Sequence, residues 1–183
     1  AKYIDRLLEL TKIGTSKWFT LSSMMCSKSL INRDYEQASS IALRAVRHDL
    51  FRRQRKNEYR ALLTKAGYAG VLSKNTELES TYRRRLRYNK VDKFHYHMIE
   101  ILSSINEENY PRSIDHCRSI VSNIISKLRK SKNNTTLKSN LLRVVHDIKA
   151  LETVTGVRER QRSQRELLSY IQDNIIPIAL EQL

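Results

Sequence analysis

Apolar residues recur every three or four positions along almost the whole chain, the spacing of amphipathic helices rather than of strands. Ile4, Leu7 and Leu8 mark a first short helix from Tyr3 to Lys12. Gly14 stops it, and Thr15 and Ser16 can cap the next. Trp18, Leu21, Met24, Met25, Leu30 and Ile31 define a second helix from about Ser16 to Ile31. Asn32 and Asp34 then open a long third helix expected from Asp34 to Lys65, with Tyr35, Ala38, Ile41, Ala42, Ala45 and Val46 on one stripe. Gly67-Tyr-Ala-Gly70 is expected to end that helix, and the segment to Thr76 to act as a joint. The chain is accordingly read as an N-terminal helical hairpin region, 1–70, and a C-terminal helical bundle, 71–183, either as two lobes or as one domain.

The C-terminal half carries the strongest periodicity. Leu78, Tyr82 and Leu86 define a short helix from Glu77 to Arg87, and Val91, Phe94, Met98, Ile101, Leu102 and Ile105 continue at helical spacing. Asn109-Tyr-Pro111 breaks the chain and begins another helix. Two stripes follow: Ile114, Cys117, Val121, Ile124 and Leu128, then Leu137, Leu141, Val144, Ile148 and Leu151 beyond the polar turn from Lys130 to Thr136. An antiparallel pair is the natural result. Gly156 precedes a last helix that is basic first, then apolar at Leu167, Leu168, Ile171, Ile175 and Ile178, with Pro177 expected to kink or end it.

The expected fold class is all-α, a helical bundle or irregular helical-hairpin array of six to eight helices. Only 4 Gly and 2 Pro occur in 183 residues, too few for the turns of an all-β chain. No stretch approaches the ~18 consecutive apolar residues of a membrane span. The amphipathic opening AKYIDRLLELTK lacks a signal-peptide core. Cys26 and Cys117 lie on apolar helical stripes and read as buried hydrophobes in a reducing, intracellular compartment, nucleus and cytoplasm being indistinguishable. A chain that opens on Ala1 and closes inside an apolar helix at Leu183 also reads as a fragment of something longer.

The segment from Thr20 to His48 resembles a single tetratricopeptide-type hairpin. The turn NRDYEQA is similar to that family's acidic-Tyr turn, and Ala38 and Ala45 match its small packing positions. Cys26 stands where the family usually has Gly, and no Pro closes the unit. The resemblance implies an antiparallel hairpin and a protein-binding groove.

Charge narrows the class of partner. A net +15 repels itself unless an anionic partner offsets it, and nucleic acid is the leading candidate. Three segments concentrate that charge. The first holds Arg44, Arg47, Arg52, Arg53, Arg55, Lys56 and Arg60. The second, Tyr82-Arg-Arg-Arg-Leu-Arg-Tyr-Asn-Lys90, sets Arg83, Arg84, Arg85, Arg87 and Lys90 beside Tyr82 and Tyr88, suiting guanidinium forks on phosphates and rings stacked on bases. The third holds Arg158, Arg160, Arg162 and Arg165. Each is also compatible with a merely solvated helical face.

Catalytic signatures are missing from the sequence. The five histidines, at 48, 95, 97, 116 and 146, stand in no metal-ligand spacing, so neither metal nor cofactor is expected. Arg44/His48 and Arg112/His116 invite comparison with the Arg and His of helical HEPN ribonucleases, whose motif is more widely spaced, so no nuclease activity is inferred. The expected function is a non-catalytic nucleic-acid-binding subunit, RNA slightly ahead of DNA because no helix-turn-helix pattern is evident. The alternative is a helical scaffold or adaptor that meets an acidic protein partner, or another copy, in a larger complex.

Overall fold

The computed structural model describes residues 2–48, 55–130 and 135–183, with side chains from residue 6 onward except at 122 and 124–130. The described residues form helices and no strand, and the helices outnumber the six to eight expected. They fall into two compact units, one running to Asp92 and including Leu183, the other Lys93–Gln182. The division therefore lies after Asp92, whereas the sequence pattern placed it after Gly70.

The first unit contains α1 (Lys2–Leu10), α2 (Ser16–Ile31), α3 (Tyr35–Val46), α4 (Lys56–Leu72) and α5 (Thr76–Leu86). Helix α2 keeps the bounds that its stripe predicts, and its N-terminus is closed by the Thr15 hydroxyl, which accepts from the Trp18 N–H at 3.2 Å. Among the described residues the helix expected from Asp34 to Lys65 is interrupted: α3 ends at Val46 and α4 begins at Lys56. The two described parts pack side by side, which a continuous rod could not do. The buried Tyr59 hydroxyl of α4 donates to the Val46 carbonyl at 3.0 Å, satisfying one of the acceptors exposed where α3 stops. Residues 49–54 between them, including Arg52 and Arg53, lie outside the described residues.

Helix α4 is the centre of this unit. Every residue from Leu62 to Val71 is buried, and α4 packs against α2, α3 and α5. Gly67 and Gly70 are interior residues of this helix and do not form a joint. A Cβ at Gly70 would sit 3.2 Å from the Glu79 backbone nitrogen, so this glycine lets α5 approach closely. On α2 the buried side is Trp18, Phe19, Ser22, Met25, Cys26, Ser29 and Leu30, while Met24 and Ile31, expected inward, are exposed. Small serines there admit the neighbouring helices more closely than the larger apolar residues would.

The second unit contains α6 (Lys93–Asn106), α7 (Tyr110–Lys130), α8 (Thr135–Thr153), α9 (Val157–Asn174) and α10 (Ile176–Glu181). All five positions of the α8 stripe, Leu137, Leu141, Val144, Ile148 and Leu151, are buried. On α7 the core residues are Ile114, Cys117 and Ile120, with Val121 only half-buried; the Ile124 and Leu128 side chains lie outside the description. Leu167, Leu168, Ile171 and Ile175 are buried, and the helix breaks at Ile175 before Pro177 enters the first turn of α10. Asn140 of α8 fastens α9, accepting from the Tyr170 hydroxyl at 3.0 Å and donating to the Asn174 carbonyl at 3.2 Å.

The same turn joins α2 to α3, α4 to α5 and α6 to α7. Arg33, Lys74 and Glu108 adopt positive φ (62°, 54° and 55°), and the next residue, Asp34, Asn75 or Asn109, donates its N–H back to the preceding helix at 2.8 Å. Its side chain then accepts an N–H of the following helix, from Gln37, Leu78 or Arg112. A helix ending in the left-handed residue and a cap starting the next are thus packed into three residues.

Candidate nucleic-acid interface

The end of α5 offers the most exposed aromatic ring among the candidate residues. Tyr88 follows the helix and is 73% exposed. Its placement comes from the next residue: Asn89 is buried and donates from Nδ2 to the Arg85 carbonyl at 2.9 Å, closing the helix and leaving Tyr88 outside. Arg84, Arg87 and Lys90, near it in sequence, are exposed, while Arg83 and Arg85 are half-buried. No carboxylate occurs between Glu79 and Asp92 in the sequence. Arginines in the last turn also complement the helix dipole, which explains their favourable local placement but not the exposed ring beside them.

Tyr82 does not belong to this surface. It is 1% exposed and faces the core of the first unit, correcting the expectation of two stacking tyrosines. Its position on the α5 stripe with Leu78 already pointed inward.

The first basic segment is more dispersed than the sequence suggests. Arg44, Arg47 and Lys56 are exposed, but Arg47 pairs with Glu77 at the opposite end of α5 from Arg87, about 15 Å away along the helix axis. Arg55 is engaged inside the unit, donating to Ser16 Oγ at 2.5 Å and to Glu58 at 3.1 Å. These residues and the Tyr88 cluster are therefore not one continuous patch on α5. In the second unit Arg158, Arg160, Arg162 and Arg165 are all exposed on α9. Arg162 pairs with Glu166 at 2.9 Å, a solvated contact worth little. Arg160 reaches a cleft of about 320 Å³ lined also by Pro111, Ile114, Arg118, Leu151 and Gln164.

A second polar constellation, of which the sequence had singled out only the Arg112/His116 pair, joins α6 and α7. Glu100 is 1% exposed and accepts from Arg112 Nη2 at 2.7 Å; Arg112 also reaches Glu107 at 3.1 Å. His116 Nε2 lies 3.9 Å from the same Glu100 oxygen, and its Nδ1 is 3.1 Å from Nδ1 of His97. Tyr96 sets its ring edge-on against both, with centroids 5.2 and 6.3 Å away. Burial, then the facing His116, lowers the His97 pKa. Spacing shows Arg112 and His116 one turn apart on α7, but their meeting with His97 and Glu100 depends on the packing of α6 against α7 and has no local mark.

The first unit also buries an amine. Lys65 donates from Nζ to Ser23 Oγ at 2.7 Å and to the Ser23 carbonyl at 3.2 Å, and burial lowers its pKa. Beside it the Cys26 thiol is pushed up to about 12 by burial, so it stays protonated and unreactive. Cys26 and Cys117 are both free and buried. No described helix is long and apolar enough to cross a membrane. No family model matches the chain, and neither the curated proteins nor the solved structures provide a match.

Proposed function

We propose that this protein is a non-catalytic, basic helical subunit that binds nucleic acid, RNA slightly favoured over DNA, and positions it on arginine-rich surfaces. The observation that carries the reading is Tyr88, exposed at the end of α5 within four residues in sequence of the exposed Arg84, Arg87 and Lys90. An exposed ring among cations suits an unpaired base stacked on the tyrosine with adjacent phosphates on the guanidinium groups. Duplex DNA offers no such free base face, which is why single strands are the preferred ligand. The net +15 supplies long-range attraction for any polyanion. Arg44 in the first unit and Arg158 and Arg160 in the second are further exposed cations, each taken as a separate contact.

Counterion release provides the test. Binding of a fluorescent single-stranded RNA, followed by anisotropy, should weaken linearly in log–log form as salt rises. Replacing Arg84, Arg87 and Lys90 with Ala should flatten that slope by about two units, at ~0.7 per phosphate contact on a single strand. An unchanged slope in a folded triple variant would remove this surface from the interface. Absence of binding even at low salt would favour the scaffold reading, to which the exposed Met24 and Ile31 on α2 lend their apolar surface.

A further inference from the structure

Two imidazoles, His97 and His116, meet Nδ1 to Nδ1 between α6 and α7. Their Nδ1 atoms are 3.1 Å apart, so one must donate and the other accept if they bond to each other. The carboxylate of Glu100 lies 3.9 Å from His116 Nε2, which favours the tautomer with hydrogen on Nε2 and an electron pair on Nδ1. With metal–nitrogen bonds of about 2.0–2.1 Å, the 3.1 Å separation corresponds to an N–metal–N angle of about 98°. That value falls between the ~90° of cis ligands in square or octahedral sites and the ~109° of a tetrahedral one.

We propose that His97 and His116 form a two-histidine site for a divalent transition-metal ion of the zinc, nickel and copper group. Binding exchanges the shared Nδ1 hydrogen bond for two Nδ1–metal bonds, and the proton of His97 passes through solvent from Nδ1 to Nε2 of the same ring. Imidazole donors select these ions over magnesium or calcium. Glu100, held by Arg112 at 2.7 Å, places its carboxylate charge 3.9 Å behind His116 Nε2, close enough to favour a positive ion on the other side of that ring. The positive charges of Lys93 and Arg112 oppose the ion, while Glu100 and Glu107 offset them. Among the described residues no set of three His, Cys, Asp or Glu side chains gathers around one point, so water or a bound ligand completes the coordination. The His116 side chain is 18% exposed, and solvent can reach the position.

Calorimetric titration of the whole protein with Zn²⁺ and Ni²⁺ near neutral pH tests the assignment. One ion per chain is expected, with affinity lowered about tenfold or more by His97→Gln or His116→Gln. His146→Gln is the matched control, because that side chain is 82% exposed and remote in sequence from the pair. If either variant fails to fold, the Cu²⁺ electron-spin resonance spectrum of the unaltered protein decides: two imidazole nitrogens must couple to the ion. Failure to bind one ion, binding that survives His97→Gln in a folded chain, or a spectrum without two such nitrogens overturns the proposal.

Discussion

Raising the pH should destabilise the first unit through a thiol that the fold keeps from ionising. Cys26 is 0% exposed, its Sγ lies 3.6 Å from the Ala38 carbonyl, and its pKa stands at about 12 against 9.0 for an ordinary thiol. Between those values the unfolded chain has lost a proton that the native chain retains, so stability falls as pH rises through the window. At about pH 10.5, half-way through, the loss from this one group is about 2 kcal/mol at 1.36 kcal/mol per unit. Burial also raises the pKa of Tyr68, which deepens the alkaline loss. Lys65 works in the opposite direction: its lowered pKa makes the unfolded chain hold the extra proton, so its contribution to stability improves as pH rises toward 10.5.

Comparing the protein with Cys26→Ala removes the thiol and leaves the Tyr68 contribution in both proteins; the Lys65 contribution shifts with it, since the two groups act on each other. Trp18, the sole tryptophan, is buried in the same unit with its ring centroid 5.0 Å from His48, so its fluorescence follows urea unfolding there. The substitution should cost about 1 kcal/mol near neutral pH through lost packing, and the gap should close and reverse by about pH 10.5. Parallel stability curves for the two proteins from pH 8 to about 10.5 would refute the reasoning, since they would mean that the thiol ionises as readily in the native unit as outside it.

Other consequences concern packing and turns. Leu141→Ala should destabilise the second unit by about 2–5 kcal/mol in chemical denaturation followed by circular dichroism, because Leu141 is 1% exposed on the α8 stripe. Tyr59→Phe should cost about 1–3 kcal/mol by leaving the buried Val46 carbonyl without its donor, read from the Trp18 transition. Lys74→Gly should instead stabilise by about 1 kcal/mol, since the exposed Lys74 holds a φ of 54° that glycine adopts without strain; a lowered midpoint would mean that the turn is not left-handed.

The helices were legible where one face alone carries the apolar residues. The α8 stripe and the bounds of α2 follow directly from three-and-four spacing. Helix α4 was misread because it is buried on nearly every side: a helix apolar all round loses its periodic signal, and glycines that permit close packing look like terminators. The split between α3 and α4 depends on tertiary contacts, among them the Tyr59 bond to Val46, which leave no local mark. The candidate surface was half legible. Charge runs identify exposed arginines, but only packing tells that Tyr82 turns inward and Tyr88 outward. The His97–His116 pair could not be found by spacing, since the two rings are 19 residues apart and meet only when α6 and α7 pack.

The central proposal rests on Tyr88 as a stacking platform, and the affinity of Tyr88→Ala for single-stranded against duplex RNA of the same length and at the same salt tests it most directly. Stacking on an exposed ring contributes about 1–3 kcal/mol per base on a single strand and is denied to bases already stacked in a duplex. The account predicts a five-fold to hundred-fold loss (~1–3 kcal/mol) on the single strand, little change on the duplex and an unaltered salt slope. Equal effects on both ligands, or none on either, would contradict it.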